Sequence, residues 1–223
     1  MSYKLYYQAL RARAEPIRMI FLYGGIPFED EIIPLNDWSN FKNDKNVAPF
    51  AQLPALRLPN GSVIAETGAI IRLVAKLANI YPTDPFEAAK ADMLFESAVD
   101  LNAVNVLLNW WELGSGDYKT NYETFFGILP HHLSTLDVEL GSKPFFGGER
   151  PHHGDFALFN ILSNTITIKP DALEGYPKLV AFIERVAKIP VIEQYLKNRP
   201  RATECGLPYA FIQVNKAEYP ASN

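Results

Sequence analysis

The chain has 223 residues, of which 48% are hydrophobic and 21% are charged, so it can bury a substantial core. Its formal net charge is −4 and it has no basic block, which argues against nucleic acid as the main partner. No apolar run approaches the roughly 20 residues of a transmembrane helix, and charged residues interrupt the N-terminus where a secretory signal would lie. The single cysteine, Cys205, excludes an intrachain disulfide and a CxxC redox pair, so a cytoplasmic location is expected.

The first eighty residues alternate between strand and helix signals. Short runs of apolar and aromatic residues predict strands, and apolar residues at helical spacing predict helices. Pro59-Asn60-Gly61 is a strong turn signal, which predicts a hairpin between the last two strands. In chain order the predicted elements are a strand at Lys4–Gln8, a helix at Glu15–Tyr23, a strand at Phe28–Ile33, a weak helix at Asp37–Lys45, strands at Ala55–Leu58 and Ser62–Ala65, and a helix at Thr67–Ala78 whose apolar face carries Ile70, Leu73, Val74 and Leu77.

This β-α-β-α-β-β-α order predicts an α/β, thioredoxin-like domain over residues 1–79, with helices packed against a mixed sheet. Residues 80–84 are expected to be a linker, and Asp84, Pro85 and Glu87 form a strong helix start. Residues 85–223 show only helical patterns, so the second domain is expected to be all-helical, with an irregular tail from Arg201. Its helices are predicted from Pro85 to about Trp111 and at Tyr118–Leu140, Asp155–Ile168, Pro177–Ala187 and Val191–Lys197, with Pro130 expected to kink or break the second of them.

Tyr7 lies at the end of the first predicted strand, where open α/β sheets bind their ligands. Judged alone, a tyrosine there is more often a core residue, and Tyr6 and Tyr7 should point to opposite faces of the sheet. Leu53-Pro54 precedes another strand. Pro54 is either an ordinary edge residue or a cis-proline that turns the backbone of Leu53 outward, where an extended peptide could pair with it.

Two further pairs of residues offer sites for carboxylates. Thr67 can simply cap the helix that it opens, or free N–H groups there can bind a carboxylate while Glu66 pairs with an ammonium group. Trp38 and Lys42 are four residues apart and share a helix face, so they either bind a second carboxylate or lie on the surface by chance. A hydroxyl, a backbone clamp, a site for an amino-acid end and a site for a carboxylate end together suit glutathione.

Six motifs occur in a characteristic order and spacing: Tyr3–Tyr7, Arg11–Arg18, Asp37-Trp38 with Lys42, Pro49–Pro54, Glu66–Ile70 and Gly154–Ala157. To about Pro200 the chain resembles the cytosolic glutathione transferases, most closely their sigma-like class. The resemblance implies a cytoplasmic, homodimeric enzyme that joins glutathione, as co-substrate, to a small hydrophobic electrophile. No metal, nucleic acid or membrane is expected as a partner.

The resemblance also implies roles for individual residues. Tyr7 matches the catalytic tyrosine, Arg13 lies near the thiol, and His152 stands where the family has a helix-capping serine or threonine. Because histidine is a poorer cap, other contacts are expected to hold that helix. The residues expected to bind glutathione are Trp38, Lys42 and Gln52 at its glycine end, the backbone of Leu53 before Pro54, Glu66 and Thr67 at its γ-glutamyl group, and Asp100 from across the dimer interface.

The expected chemistry is activation of a thiol. A thiol with a pKa of about 8.5 is only about 3% thiolate at pH 7, and a hydrogen bond donated by Tyr7 would stabilise the charged form. The electrophile is expected in an apolar cleft lined by Leu10, Leu108 and Trp111. Two alternatives stay open: a glutathione-dependent isomerase or peroxidase acting on lipids, and a non-catalytic binding or crystallin-like protein. A metal site is not expected, because the histidines form adjacent pairs that do not share a helix face.

Overall fold

A computed structural model describes residues 2–8, 11–34, 37–110 and 118–199, and of these the side chains of 104, 106–110, 118 and 119 are left aside. Four strands form one sheet in the order β2-β1-β3-β4, with β1 and β2 parallel and the other neighbours antiparallel. The predicted α/β domain with a mixed sheet is confirmed. Its elements are β1 (Tyr3–Tyr7), a 3₁₀ turn (Ala12–Ala14), α1 (Glu15–Tyr23), β2 (Phe28–Ile32), α2 (Trp38–Phe41), β3 (Ala55–Arg57), β4 (Val63–Ala65) and α3 (Thr67–Leu77).

Strand β1 lies in the middle of the sheet and separates two hydrophobic clusters. Because side chains alternate along a strand, Leu5 and Tyr7 join the main core while Tyr6 packs in the smaller cluster on the opposite face. Tyr6 and Tyr7 are therefore both buried, at 8% and 7% exposure. Tyr7 pairs with Ile32 of β2 in parallel register, and the preceding Tyr6 pairs with Ala55 of β3 in antiparallel register.

Helix α3 buries a face that is rotated from the predicted one. Ile70 and Val74 are buried as expected, but Leu77 is 39% exposed and its place is taken by Ile71 and Ala75. Helix α3 contacts α1, the sheet and α6. Contact with α6 extends the buried face of α3 towards the helical domain.

The second part of the described chain is helical, as predicted. Its helices are α4 (Pro85–Trp110), α5 (Tyr118–Leu140), α6 (His153–Ile168), α7 (Pro177–Ala187) and α8 (Pro190–Asn198). Asp84 caps α4 as expected, accepting hydrogen bonds at 3.0 Å from the backbone N–H groups of both Phe86 and Glu87. No helix in the described ranges is long and apolar enough to cross a membrane.

Of the kink or break expected at Pro130, the break is not found, because α5 continues through it from Tyr118 to Leu140. A proline inside a helix costs one backbone hydrogen bond and some steric strain. Leu129 and Leu133 flank Pro130 and are almost fully buried, as are Leu136 and Leu140 further along the same face. Packing of this apolar face outweighs the local cost and keeps the helix in one piece.

The N-terminus of α6 is held by two side chains together. His152 does cap the helix, since its Nδ1 accepts from the Gly154 N–H at 3.0 Å. Asp155 is fully buried and accepts from the backbone N–H groups of Phe146, Gly147 and His152, at 2.7, 3.2 and 2.9 Å. The expectation that other contacts support the helix is right, and the expectation of a weak cap is wrong, because an imidazole nitrogen reaches the free N–H group.

This cap predicts an unusual dependence of stability on pH. Burial, aided by the charge of His153, lowers the pKa of His152 from 6.5 to about 3, so the folded protein keeps this imidazole neutral. Below pH 6.5 the unfolded chain binds a proton at His152, whereas the folded chain does not. The free energy of unfolding therefore decreases as the pH falls below 6.5. A His152→Ser variant keeps a capping oxygen but does not titrate.

Relative to the wild type, His152→Ser should gain up to about 1.4 kcal/mol in unfolding free energy for each pH unit below 6.5. Urea unfolding at pH 7.5, 6.5 and 5.5 measures this difference. Burial raises the pKa of Asp155 to about 7, which favours the folded state as pH falls, and both proteins keep this buried carboxyl with its three backbone donors. Parallel curves for the two proteins would show that His152 is not buried as a neutral group.

Polar contacts join the two halves of the structure around Asp92 of α4. Its carboxylate accepts from Arg72 Nε at 3.0 Å and from the Tyr81 hydroxyl at 3.1 Å. It also lies 2.9 Å from Nε2 of His153, whose ring is fully buried and stacks on Tyr81 with 5.2 Å between ring centroids. One carboxylate thus links α3, the connecting segment, α4 and α6, and fixes how the helices meet the sheet domain.

Candidate functional site

Tyr7 is the last residue of β1. Its own backbone is fixed, because its carbonyl accepts from the Ile33 N–H at 2.8 Å. The Arg18 guanidinium lies 5.8 Å from the centre of the Tyr7 ring, within the range of a cation–π contact. These contacts orient Tyr7 at the strand end.

The Tyr7 hydroxyl is a protonated hydrogen-bond donor at neutral pH. Burial raises the pKa of this phenol above 10, while a hydrogen bond from the Arg13 backbone and the charges of Arg13 and Arg18 act to lower it. Within the described part of the chain, no group accepts a hydrogen bond from this hydroxyl. The phenol oxygen receives one hydrogen bond and keeps its own proton available for a bound group.

A cavity of about 270 Å³, here called the tyrosine cavity, opens at this hydroxyl. The Leu53–Pro54 peptide bond beside it is cis, which identifies Pro54 as a cis-proline rather than an ordinary edge residue. Pro54 itself is buried behind Leu53. The residues lining the cavity are Tyr7, Gln8, Arg13, Trp38, Ala51, Gln52 and Leu53.

A second cavity of about 260 Å³, here called the interdomain cavity, lies between the sheet domain and the helices. Arg13 lines both cavities, so the two are neighbours. Glu66 and Thr67 line the interdomain cavity, as do residues of α4 and α6. Tyr7 and Thr67 are far apart in the sequence, but the cavities that they line meet at Arg13.

The start of α3 is open towards this cavity. Glu66, at φ 71°, is the residue before the helix, and its side chain makes no capping hydrogen bond. Thr67 is the first helical residue rather than the cap, so the simple capping explanation for Thr67 is wrong. The uncapped first turn leaves N–H groups and a positive helix end that can bind a carboxylate.

Comparison with known proteins identifies the family. The family model for "Glutathione S-transferase, N-terminal domain" matches residues 12–77, and that for "Glutathione S-transferase, C-terminal domain" matches residues 111–199. Over 205 residues the chain is 33% identical to hematopoietic prostaglandin D synthase from Gallus gallus, covering 90% of this chain and 98% of that protein. The chain belongs to the glutathione S-transferase family.

Two more relatives of this transferase support its membership of the family. It is 32% identical to a glutathione S-transferase from Dirofilaria immitis over 204 residues, which cover 89% of this chain and 94% of that one. The solved structure of monomeric Na-GST-3, a glutathione S-transferase from the hookworm Necator americanus, superposes with a TM-score of 0.81 at 27% identity, over 90% of this chain and 98% of that one. Membership of the family, with glutathione as co-substrate, confirms the assignment made from the sequence motifs.

The transferase does not bring every expected residue into the two cavities. Lys42 follows α2 and is exposed, and Asp100 is exposed on α4; neither lines either cavity. The residues expected to bind the electrophile lie outside what the structure describes: Leu10 and Trp111 entirely, and Leu108 for its side chain. Among the described residues, no three histidine, cysteine, aspartate or glutamate side chains form a group that could hold a metal ion.

Sequence reasoning missed a buried charged network next to the site. Glu15 is 1% exposed and accepts from the Tyr195 hydroxyl at 3.0 Å and from Arg199 at 2.9 Å. It also lies 3.4 Å from Arg18, which donates to Asp30 at 2.8 Å. The signal was present, since Glu15 and Arg18 are charged and three residues apart on an otherwise apolar helix, but their partners are distant in the sequence.

Proposed function

We propose that this transferase joins the thiolate of glutathione to small hydrophobic electrophiles. One observation carries the proposal: a buried tyrosine hydroxyl with no acceptor in the described chain opens into a cavity that Arg13, Gln52 and Leu53 also line. These are the groups that an extended, anionic peptide with a central thiol requires. Tyr7 would donate a hydrogen bond to the thiolate, and Arg13 would add a favourable positive charge.

The remaining roles place the ends of glutathione. Trp38 and Gln52 at the tyrosine cavity would hold the glycine carboxylate, with Lys42 closing over it from the end of α2. Glu66 and Thr67 at the interdomain cavity would bind the γ-glutamyl group, whose carboxylate meets the open first turn of α3. The backbone of Leu53, before the cis-proline, would pair with the middle of the peptide.

Stabilising the thiolate has a large effect on reactivity. Lowering a thiol pKa from about 8.5 to about 6.5 raises the thiolate fraction at pH 7 from about 3% to about 75%. The thiolate then attacks the electrophile, forming a carbon–sulfur bond as the leaving group departs, or adding to an activated double bond. Leu10, Leu108 and Trp111 are proposed to line the electrophile site.

We propose the remaining organisation on the same grounds. The glutathione domain comprises residues 1–79, the linker residues 80–84, and the helical domain residues 85–223. The enzyme is proposed to be cytoplasmic and homodimeric, and Asp100, exposed on α4, would serve the γ-glutamyl amine bound in the partner subunit. Phe50, a large apolar side chain that is 66% exposed, suits burial at such an interface.

A glutathione-dependent isomerase is the second candidate, favoured by the 33% identity to a hematopoietic prostaglandin D synthase. The two reactions differ in their products, since conjugation consumes glutathione whereas isomerisation regenerates it. Incubation with glutathione and either an aryl halide or a lipid endoperoxide, followed by mass analysis, distinguishes them. A thioether of the aryl group is the expected product. A rearranged lipid with undiminished glutathione would favour the isomerase, and binding without turnover of either would favour a crystallin-like protein.

A further inference from the structure

The turn that carries Arg13 has a strained conformation. Ala12 begins the 3₁₀ turn with φ 30°, in the left-handed region that residues with a Cβ atom rarely adopt. Ala12 is also 8% exposed, so its backbone has little access to water. Such a conformation persists only where the surrounding structure holds it.

The Ala12 carbonyl cannot make the usual hydrogen bond of an α-helix. A carbonyl in this position would normally accept from the N–H four residues later, but that residue is Pro16, which has none. The N–H of Glu15 is already bonded to the Arg11 carbonyl at 2.9 Å. A buried carbonyl that lacks this donor is stabilised by a donor from elsewhere in the structure.

Asn160 supplies that donor from the helical domain. Its side-chain Nδ2 donates to the Ala12 carbonyl at 3.1 Å, in a buried hydrogen bond between residues 148 positions apart. Asn160 is 5% exposed on α6 and lies between apolar residues such as Phe159 and Ile161, where packing alone would favour a leucine. Asn160 also lines the interdomain cavity, and the hydrogen bond that its amide donates is the one to the Ala12 carbonyl.

We propose that Asn160 is a positioning residue for the transfer reaction, holding through the Ala12 carbonyl the turn that presents Arg13 beside Tyr7. Arg13 follows Ala12 directly and lines both cavities, and its backbone hydrogen-bonds the Tyr7 phenol. A shift of the turn moves both this N–H and the guanidinium relative to the bound thiol. The inference rests on the proposed role of Tyr7 and Arg13 in stabilising the glutathione thiolate.

The test compares Asn160→Ala with a matched control one turn further along α6. Asn164 is also buried, at 3% exposure, and its Oδ1 has no partner among the described residues, so Asn164→Ala removes a similar amide without touching the turn. The pKa of the bound glutathione thiol is measured by thiolate absorbance, and kcat and KM are measured against pH with an aryl halide.

Asn160→Ala should raise the pKa of the bound thiol by about half a unit to one unit and lower kcat/KM about threefold to tenfold below that pKa. The loss should shrink at high pH, where the thiol ionises unaided, and Asn164→Ala should match the wild type within twofold. Asn160→Asp preserves size but places a carboxylate against the Ala12 carbonyl, so it should lose at least as much. Asn160→Asp takes the place of Asn160→Ala in this test if the alanine variant folds poorly.

An Ala12→Gly background adds an independent readout. Glycine adopts the left-handed conformation without steric cost, so the turn should depend less on Asn160, and the threefold to tenfold loss should fall to about twofold or less. If Asn160→Ala lowers only thermal stability and keeps the wild-type pH profile, Asn160 merely packs the helix and the inference is overturned. If Tyr7→Phe also leaves the thiol pKa unchanged, the proposed function fails and the inference fails with it.

Discussion

Replacing Tyr7 with phenylalanine is expected to lower kcat/KM for conjugation about 10- to 150-fold and to raise the pKa of the bound glutathione thiol by about one to two units. A hydrogen bond to a charged group contributes about 1.5–3 kcal/mol, and a tenfold change corresponds to about 1.4 kcal/mol. The phenol donates to the thiolate and much less to the neutral thiol, so its loss penalises ionisation. Affinity for glutathione below its thiol pKa should change little.

The chain offers a matched control for this experiment. Tyr6 is the neighbouring tyrosine on β1 and is equally buried, but it packs in the smaller cluster on the opposite face of the sheet. Tyr6→Phe removes the same atom from the same strand and should leave the thiol pKa unchanged. Thiolate absorbance of the bound peptide, titrated with pH, measures the effect directly. If the two variants titrate alike, Tyr7 does not stabilise the thiolate.

Most of the fold was predictable from the sequence because its signals are local. The hairpin at Pro59-Asn60-Gly61 and the cap at Asp84 each depend on a few adjacent residues, and both occur as predicted. Helical periodicity also located α1 and α7 with their exact bounds. The structure departs from the predictions where tertiary contacts act: α3 also contacts α6, and α5 is not broken at Pro130.

The candidate site was only partly predictable for the same reason. The strand end placed Tyr7, and the family motifs placed Arg13, Gln52 and Thr67, all of which line one of two adjoining cavities. The contacts that hold those residues join positions far apart in the chain. Asn160 reaches Ala12 across 148 positions, and no spacing rule relates two such residues.

Glu15→Gln is expected to destabilise the protein by about 3–5 kcal/mol, the usual cost of breaking a buried ion pair by removing one partner. Glutamine preserves the volume, but it withdraws the charge that Arg18 and Arg199 share. Arg18 keeps Asp30, whereas Arg199 has Glu15 as its carboxylate partner among the described residues. The side chain of Arg199 is 23% exposed, so water offsets part of its loss and the lower end of the range is expected.

The same substitution tests how α8 is attached to the sheet domain. The hydroxyl of Tyr195 and the guanidinium of Arg199 both reach Glu15 on α1, so this one carboxylate joins the end of the described chain to the helix that follows Arg13. Glu193→Gln is the control, because it removes an exposed carboxylate from α8 whose partner is Lys197, and it should leave the urea midpoint unchanged. Urea unfolding of the three proteins at pH 7 provides the comparison. Equal midpoints for Glu15→Gln and Glu193→Gln would mean that apolar packing of Ile192 and its neighbours, rather than the buried carboxylate, holds α8 in place.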